Sequence, residues 1–230
     1  MGDGVDELRE EHRESHQEAG LAVAVVAALQ LTVGVVSLQQ GWKLAGAPGW
    51  VWFIPVAFEV VLLGALWTRA GQEPDMQEGG RRRLVLVVLA VIGGFNAIAL
   101  VALIVSLTAL HFKAGGQLLL EAATVWTTNV VAFGLGYWEL DRGGPRRRVL
   151  PNPAAPDYRF PQMENGEPDA ADWHPRLLDY VYVSFTNATA FSPTDAMPLS
   201  RQAKSLMLVE AALSAMTILL VAARAVNVLS

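Results

Sequence analysis

The sequence predicts an all-α integral membrane protein with five transmembrane helices and a re-entrant pore-helix and loop before the last of them. Three observations predict it. Five apolar runs are each long enough to cross a bilayer, and their interiors carry almost no charge. One short, proline-broken polar stretch, SFTNATAFSPTDAMPLS at 184–200, interrupts the sequence before the fifth run. With 53% hydrophobic residues and a mean hydropathy of +0.33, the chain is too apolar for a soluble domain.

Residues 1–19 are acidic: Asp3, Asp6, Glu7, Glu10, Glu11, Glu14 and Glu18 stand against Arg9 and Arg13. That is the reverse of the cationic start of a secretory signal; the segment is read as cytoplasmic from the distribution of basic residues. The runs Gly20–Leu38, Trp50–Thr68 and Leu84–Leu110 form a three-helix transmembrane region over 20–110. Leu118–Trp138 is the fourth run and Ala203–Leu229 the fifth. At about 1.5 Å per residue each covers a hydrocarbon core of roughly 30 Å. A spanning segment must satisfy its own backbone, which dictates helices.

The connector 139–175 contains DRGGPRRR, PNPAAPDYRFPQ and MENGEPDAAD. Rich in proline and poor in aliphatic residues, it reads as an extended, surface-lying linker. The Arg clusters of RRRLV and PRRRV lie where helix ends meet anionic headgroups, and they anchor orientation or recognise lipid. Placing the N-terminus, the loop 69–83 and the segment from 139 to the last helix on one side gathers Arg9, Arg13, Arg69, Arg81, Arg82, Arg83, Arg142, Arg146, Arg147, Arg148, Arg159, Arg176, Arg201 and Lys204 there. Lys43, Lys113 and Arg224 are left for the other. Basic residues near helix ends stay cytoplasmic, so the N-terminus is expected inside and the C-terminus outside the cell membrane.

Behind Pro175, Arg176–Phe191 reads RLLDYVYVSFTNATAF. As a helix it would extend only about 24 Å, too short to span and suited to re-entry. Pro193 and Pro198 stop regular structure in Ser192–Leu199, and Ser200 is placed to cap the last helix. Polar, irregular backbone at this depth is tolerated only when buried in protein or lining water.

SFTNATAFSPTDAMPLSRQAK resembles the pore module of the potassium-channel superfamily. That pattern has a pore helix ending in Thr, a Thr-Val-Gly-Tyr-Gly filter, an Asp, a spacer, Pro, a hydroxyl residue and a basic residue. The resemblance sets Thr189 before the filter, Ala190, Phe191, Ser192, Pro193 and Thr194 on it, and Asp195 at its mouth. Pro198, Ser200 and Lys204 fall on the later positions. Residues 111–230 would then be the pore-like module, with an outer helix around Trp126–Trp138 and an inner helix over Ala203–Leu229. The first three helices and YWELDRGGP resemble a family of uncharacterised five-helix bacterial membrane proteins. The filter is degenerate. Ser192 and Thr194 replace the glycines whose backbone angles only Gly adopts cheaply, so the carbonyl ladder that selects potassium is not expected.

What the resemblance implies is a homotetramer with rings of Thr189, Ser192, Thr194 and Asp195 around a weakly selective pathway for monovalent cations. The alternative is a non-conducting membrane scaffold, or a lipid- or partner-binding protein, that keeps the pore-module fold. Potassium channels take their pore loop from outside, whereas the charge distribution places this one at the cytoplasmic face.

Other intramembrane polar residues are candidates by their cost. Glu59 lies mid-way along the second run, either functional or protonated and paired with a residue such as Asn96 or Asn129. Glu210 would line a cavity or bond a hydroxyl on a neighbour. Thr124, Thr127, Thr128 and Asn129 make a stripe suited to interhelical hydrogen bonds. Gly93 with Ala97, and Ala211 with Ala215, permit close helix approach. With no Cys, no H-E-x-x-H, no G-x-S-x-G and no phosphate loop, no enzyme, cofactor or metal site is expected. Asp172, His174 and Asp179 have poor ligand spacing. No nucleic-acid motif is present.

Overall fold

The computed structural model describes residues 3–44, 46–68, 78–108, 115–148, 154–163, 173–189 and 195–229. They are mostly helical. Helix α1 is Asp3–Gln40, α2 Phe53–Thr68, α3 Glu78–Thr108, α4 Gly115–Leu140, α5 Pro145–Arg148, α6 Leu177–Thr189 and α7 Arg201–Leu229. Among the described residues, four segments are long and apolar enough to cross a membrane: Gln17–Gln40, Leu86–Val105, Gly115–Gly143 and Arg201–Ala223. They match the first, third, fourth and fifth apolar runs. The second run forms a shorter element, a 3-10 turn at Gly49–Trp52 leading into the 16-residue α2. Leu21, Ile98, Val101, Leu208 and Leu219 project outward and are more than half exposed, as a lipid-facing surface requires.

The helix order along the chain sets up two packed regions. One joins Val33, Trp52, Ala99, Leu103, Leu118 and Val125 from α1, α3, α4 and the 3-10 turn. The other is aromatic and lies at the C-terminal end of α4. There Tyr137, Trp138, Tyr158, Phe160, Leu177, Tyr180 and Val183 pack together, closed by Ala203 and Met207 of α7. Tyr158 and Phe160 belong to the connector that the sequence reads as surface-lying. Their burial follows from a short antiparallel ladder, in which Tyr158–Arg159 (β3) pairs with Met197–Pro198 (β4). A second small ladder joins β1, Lys43–Leu44, to β2, Ala47–Pro48, in the turn between α1 and α2.

Helices α6 and α7 run the same way. Along α6, Tyr180 bonds Asp141, Ser184 bonds the Val130 carbonyl and Phe185 meets Trp126 edge-on, so α6 descends antiparallel to α4. Along α7, Glu210 bonds Tyr137 and Ser214 accepts from Asn129, so α7 also descends antiparallel to α4. Consecutive helices with the same direction require the chain between them to come back. It does: Pro198 lies opposite Tyr158, which packs on Tyr180 near the start of α6.

The N-termini of both helices are capped by side chains. Asp179 accepts the Arg176 N–H at 2.7 Å and Glu18 of α1 accepts the Leu177 N–H at 3.2 Å, placing carboxylates at the positive end of α6. Ser200 Oγ accepts the Ala203 N–H at 3.1 Å.

Close approach of α6 to α4 is set by Gly134, where an added Cβ would sit 2.9 Å from the Val181 backbone. Gly93, singled out in the sequence for this purpose, has open space around it. Overpacking a tight contact costs about 1–3 kcal/mol. Gly134→Val is therefore expected to lower the thermal unfolding midpoint of the detergent-solubilised protein. Gly136→Val, whose Cβ would meet only Leu89 at 3.9 Å, should leave it nearly unchanged. Equal losses would contradict the crossing geometry.

Candidate functional site

The candidate site is the α4–α6–α7 junction, where buried polar side chains concentrate. Its centre is Glu210, fully buried two turns into α7. Tyr137 of α4 donates to its carboxyl at 2.5 Å, Asn187 of α6 donates at 2.6 Å, and the Ser184 hydroxyl of α6 contacts its other oxygen. Asn187 also donates to the Met207 carbonyl at 2.9 Å, and Ser184 to the Val130 carbonyl at 2.6 Å. One turn further along α7, Asn129 donates to Ser214 at 2.9 Å. Every helix pair in the junction is thus joined by at least one side-chain hydrogen bond. Of the two uses expected for Glu210, bonding to neighbouring hydroxyls is the one the geometry displays.

A second knot lies at the C-terminal end of α4. The chain reverses there through Arg142, Gly143 and Gly144, all at positive φ. At Gly144, with φ of 107°, a Cβ would also press the Glu139 carbonyl at 3.2 Å. The reversal folds α5 back, and Arg148 turns inward. Its guanidinium donates to the Trp138 carbonyl and to the Tyr180 hydroxyl, each at 2.8 Å, and lies 5.0 Å from the Tyr180 ring centroid. Tyr180 in turn donates to Asp141 at 2.5 Å, and Asp141 sits 3.8 Å from Arg148. The other Asp141 oxygen accepts the Asp157 N–H at 2.7 Å, which ties the connector to α4. A cation at a helix C-terminus is favoured by the helix dipole. The sequence reads the triple-Arg run as facing headgroups. Arg147 is exposed as that requires, whereas Arg148 is a core residue. Burial, with the Asp141 and Asp157 carboxylates nearby, holds the Tyr158 phenol well above its ordinary range, so it stays neutral.

The sequence-predicted residues fall into three places. Thr189 ends α6, its hydroxyl turned back onto the Thr186 carbonyl at 3.0 Å. Asp195 is exposed, 3.4 Å from the Tyr182 hydroxyl. Ala190, Phe191, Ser192, Pro193 and Thr194 lie outside the described residues. Glu59 and Asn96 are buried among α1, α2 and α3, away from the junction, while Asn129 belongs to it. Asp172 is likewise outside the described residues, Asp179 is a helix cap, and the described residues bring together no group of acids and histidines of metal-site size.

Sequence reasoning missed Tyr137, Ser184, Asn187, Asp141 and Arg148 as network members. It also missed Glu121, buried on α4 and bonded by Gln117 at 2.9 Å. The signal was present as acids inside apolar runs, but their partners lie as far as 73 residues away. No known protein family, curated protein or solved structure matches the chain.

Replacing Glu210 by Leu would leave the Tyr137 hydroxyl and one Asn187 N–H without their acceptor in a buried setting, and Ser184 with the Val130 carbonyl alone. Each such group costs about 1–3 kcal/mol. Glu210→Leu is expected to destabilise the protein by more than either Ser184→Ala or Asn187→Ala alone, and Glu210→Gln by less than Glu210→Leu. Denaturation in mixed micelles measures the order; a Glu210→Leu variant as stable as the parent would show the network to be incidental.

Proposed function

We propose that the protein is a pore-loop, channel-like membrane protein, with five spans and a re-entrant α6 and loop that form a weakly selective monovalent-cation pathway in a homotetramer. The observation that carries this reading is the parallel descent of α6 and α7 from one end of the bundle with the chain returning between them. A short helix clamped between a long helix on either side is the arrangement an outer helix, pore helix and inner helix require. Capped at its N-terminus by Asp179 and Glu18, α6 directs its partly negative C-terminus at Thr189 toward the middle of the bundle, where a cation would be favoured. The fifth span would be the 3-10 turn and α2 taken together, Gly49 to Thr68, about 30 Å at helical rise and somewhat more in its 3-10 turn.

One copy of such a loop cannot enclose a pathway. The outward face of α6, with Leu178, Tyr182 and Phe185 exposed, is available to sister subunits or lipid. Basic residues at the α4–α6 end put that end, and the loop, at the cytoplasmic face, and the C-terminus outside. Carboxylates at a pore mouth concentrate cations, and Asp195 is exposed at that end.

Purified protein in planar bilayers is expected to carry cation current without strong preference for potassium over sodium, with Asp195→Asn lowering the conductance several-fold. Mass determination in lipid nanodiscs should return four copies. A folded tetramer silent under every ionic condition, or a monomer, would instead make the protein a non-conducting scaffold.

A further inference from the structure

Outside the α4–α6–α7 junction, one cluster of buried polar groups is used by nothing described so far. Glu59 of α2 is fully inaccessible, and neither of its carboxyl oxygens has a hydrogen-bond partner. Gln30 of α1 is 1% exposed, and neither its amide oxygen nor its nitrogen is bonded. The two face each other. The α1–α2 crossing fixes the register: Ser37 touches Gly49 and Gly34 touches Phe53, so a further turn back along α1 brings Gln30 level with Glu59, whose polar neighbour it is.

Among the described side chains, a carboxylate in this position has no compensating cation. The elements packed on α2 are α1, α3 and the 3-10 turn. Among the described side chains of these elements, the only charged ones are Glu18, which caps α6 from the far end of α1, and the exposed Arg83. Ser37 of α1 and Asn96 of α3 are buried as well, and both are polar but neutral. An unpaired charge at such depth costs several kcal/mol, and a group so placed sheds it.

The atoms themselves say how. An ionised carboxylate only accepts hydrogen bonds, so it could use the Gln30 N–H but would leave the Gln30 carbonyl unbonded and facing a negative charge. A carboxylic acid both donates and accepts. Its O–H can donate to the Gln30 carbonyl and its C=O can accept from the Gln30 N–H, so one proton would satisfy both side chains in a single cyclic pair. We propose that Glu59 is a proton-binding site, holding its proton at bilayer depth against the Gln30 amide. This is independent of the pore reading, since it involves neither α6 nor the loop after it.

Infrared spectra of the protein in lipid at about pH 7 should contain the carbonyl stretch of a protonated carboxyl that disappears in Glu59→Gln. In Gln30→Leu that band should move to higher frequency as its hydrogen bonds are lost. Glu59→Gln keeps the size and the donor–acceptor pattern of the pair, so it is expected to fold. A spectrum unchanged by Glu59→Gln would overturn the assignment.

Discussion

Hydrogen-bonding groups removed from water must be satisfied within the protein, and inside an apolar bundle that requirement ties distant helices together. Glu210 is where the requirement is greatest. Its carboxyl sits among apolar helices that supply nothing of their own backbone, since helical N–H groups are already committed. Tyr137, Ser184 and Asn187 meet it from two other helices. Because α6 provides two of those three groups, a helix of only 13 residues is held at a fixed depth between α4 and α7. The apolar packing around it is less directional and would tolerate sliding.

The Asp141–Arg148–Tyr180 knot performs the corresponding task at the end of the bundle. Asp141 gathers the connector through the Asp157 N–H and α6 through Tyr180, while Arg148 closes the α4 C-terminus. The backbone reversal at Gly143 and Gly144 makes this possible, because only after it can Arg148 point back at Trp138. Together the two networks fix where α6 starts and how far it descends. The functional reading depends on that placement. The proposed pathway needs polar backbone held by protein rather than by lipid, and α6 is the element that the two networks hold.

Much of this was legible in the sequence, and the unread part has a common cause. The apolar runs marked five helices because helical rise and bilayer thickness leave little freedom, and among the described residues four of them are of spanning length while the second is a shorter element. Pro175 and Ser200 likewise marked where α6 and α7 begin, since capping is a matter of neighbours in sequence. Glu59 and Glu210 stood out because an acid inside an apolar run is costly wherever the chain goes. What could not be read was their company. Gln30 is 29 positions from Glu59 and Tyr137 is 73 from Glu210. Arg148 looked like its two neighbours in RRR, and nothing local distinguishes an inward-facing arginine from outward-facing ones.

The sequence by itself determined that this chain is a bundle of membrane-scale helices with a short capped helix before the last. Each of those properties follows from residues within one or two turns of each other. Only the tertiary structure decided that the connector's Tyr158 and Phe160 are core, that Gly134 rather than Gly93 is the point of closest approach, and that α6 descends beside α7. Those depend on which surfaces meet. The meeting of surfaces is governed by the joint satisfaction of buried polar groups contributed by helices far apart in the chain.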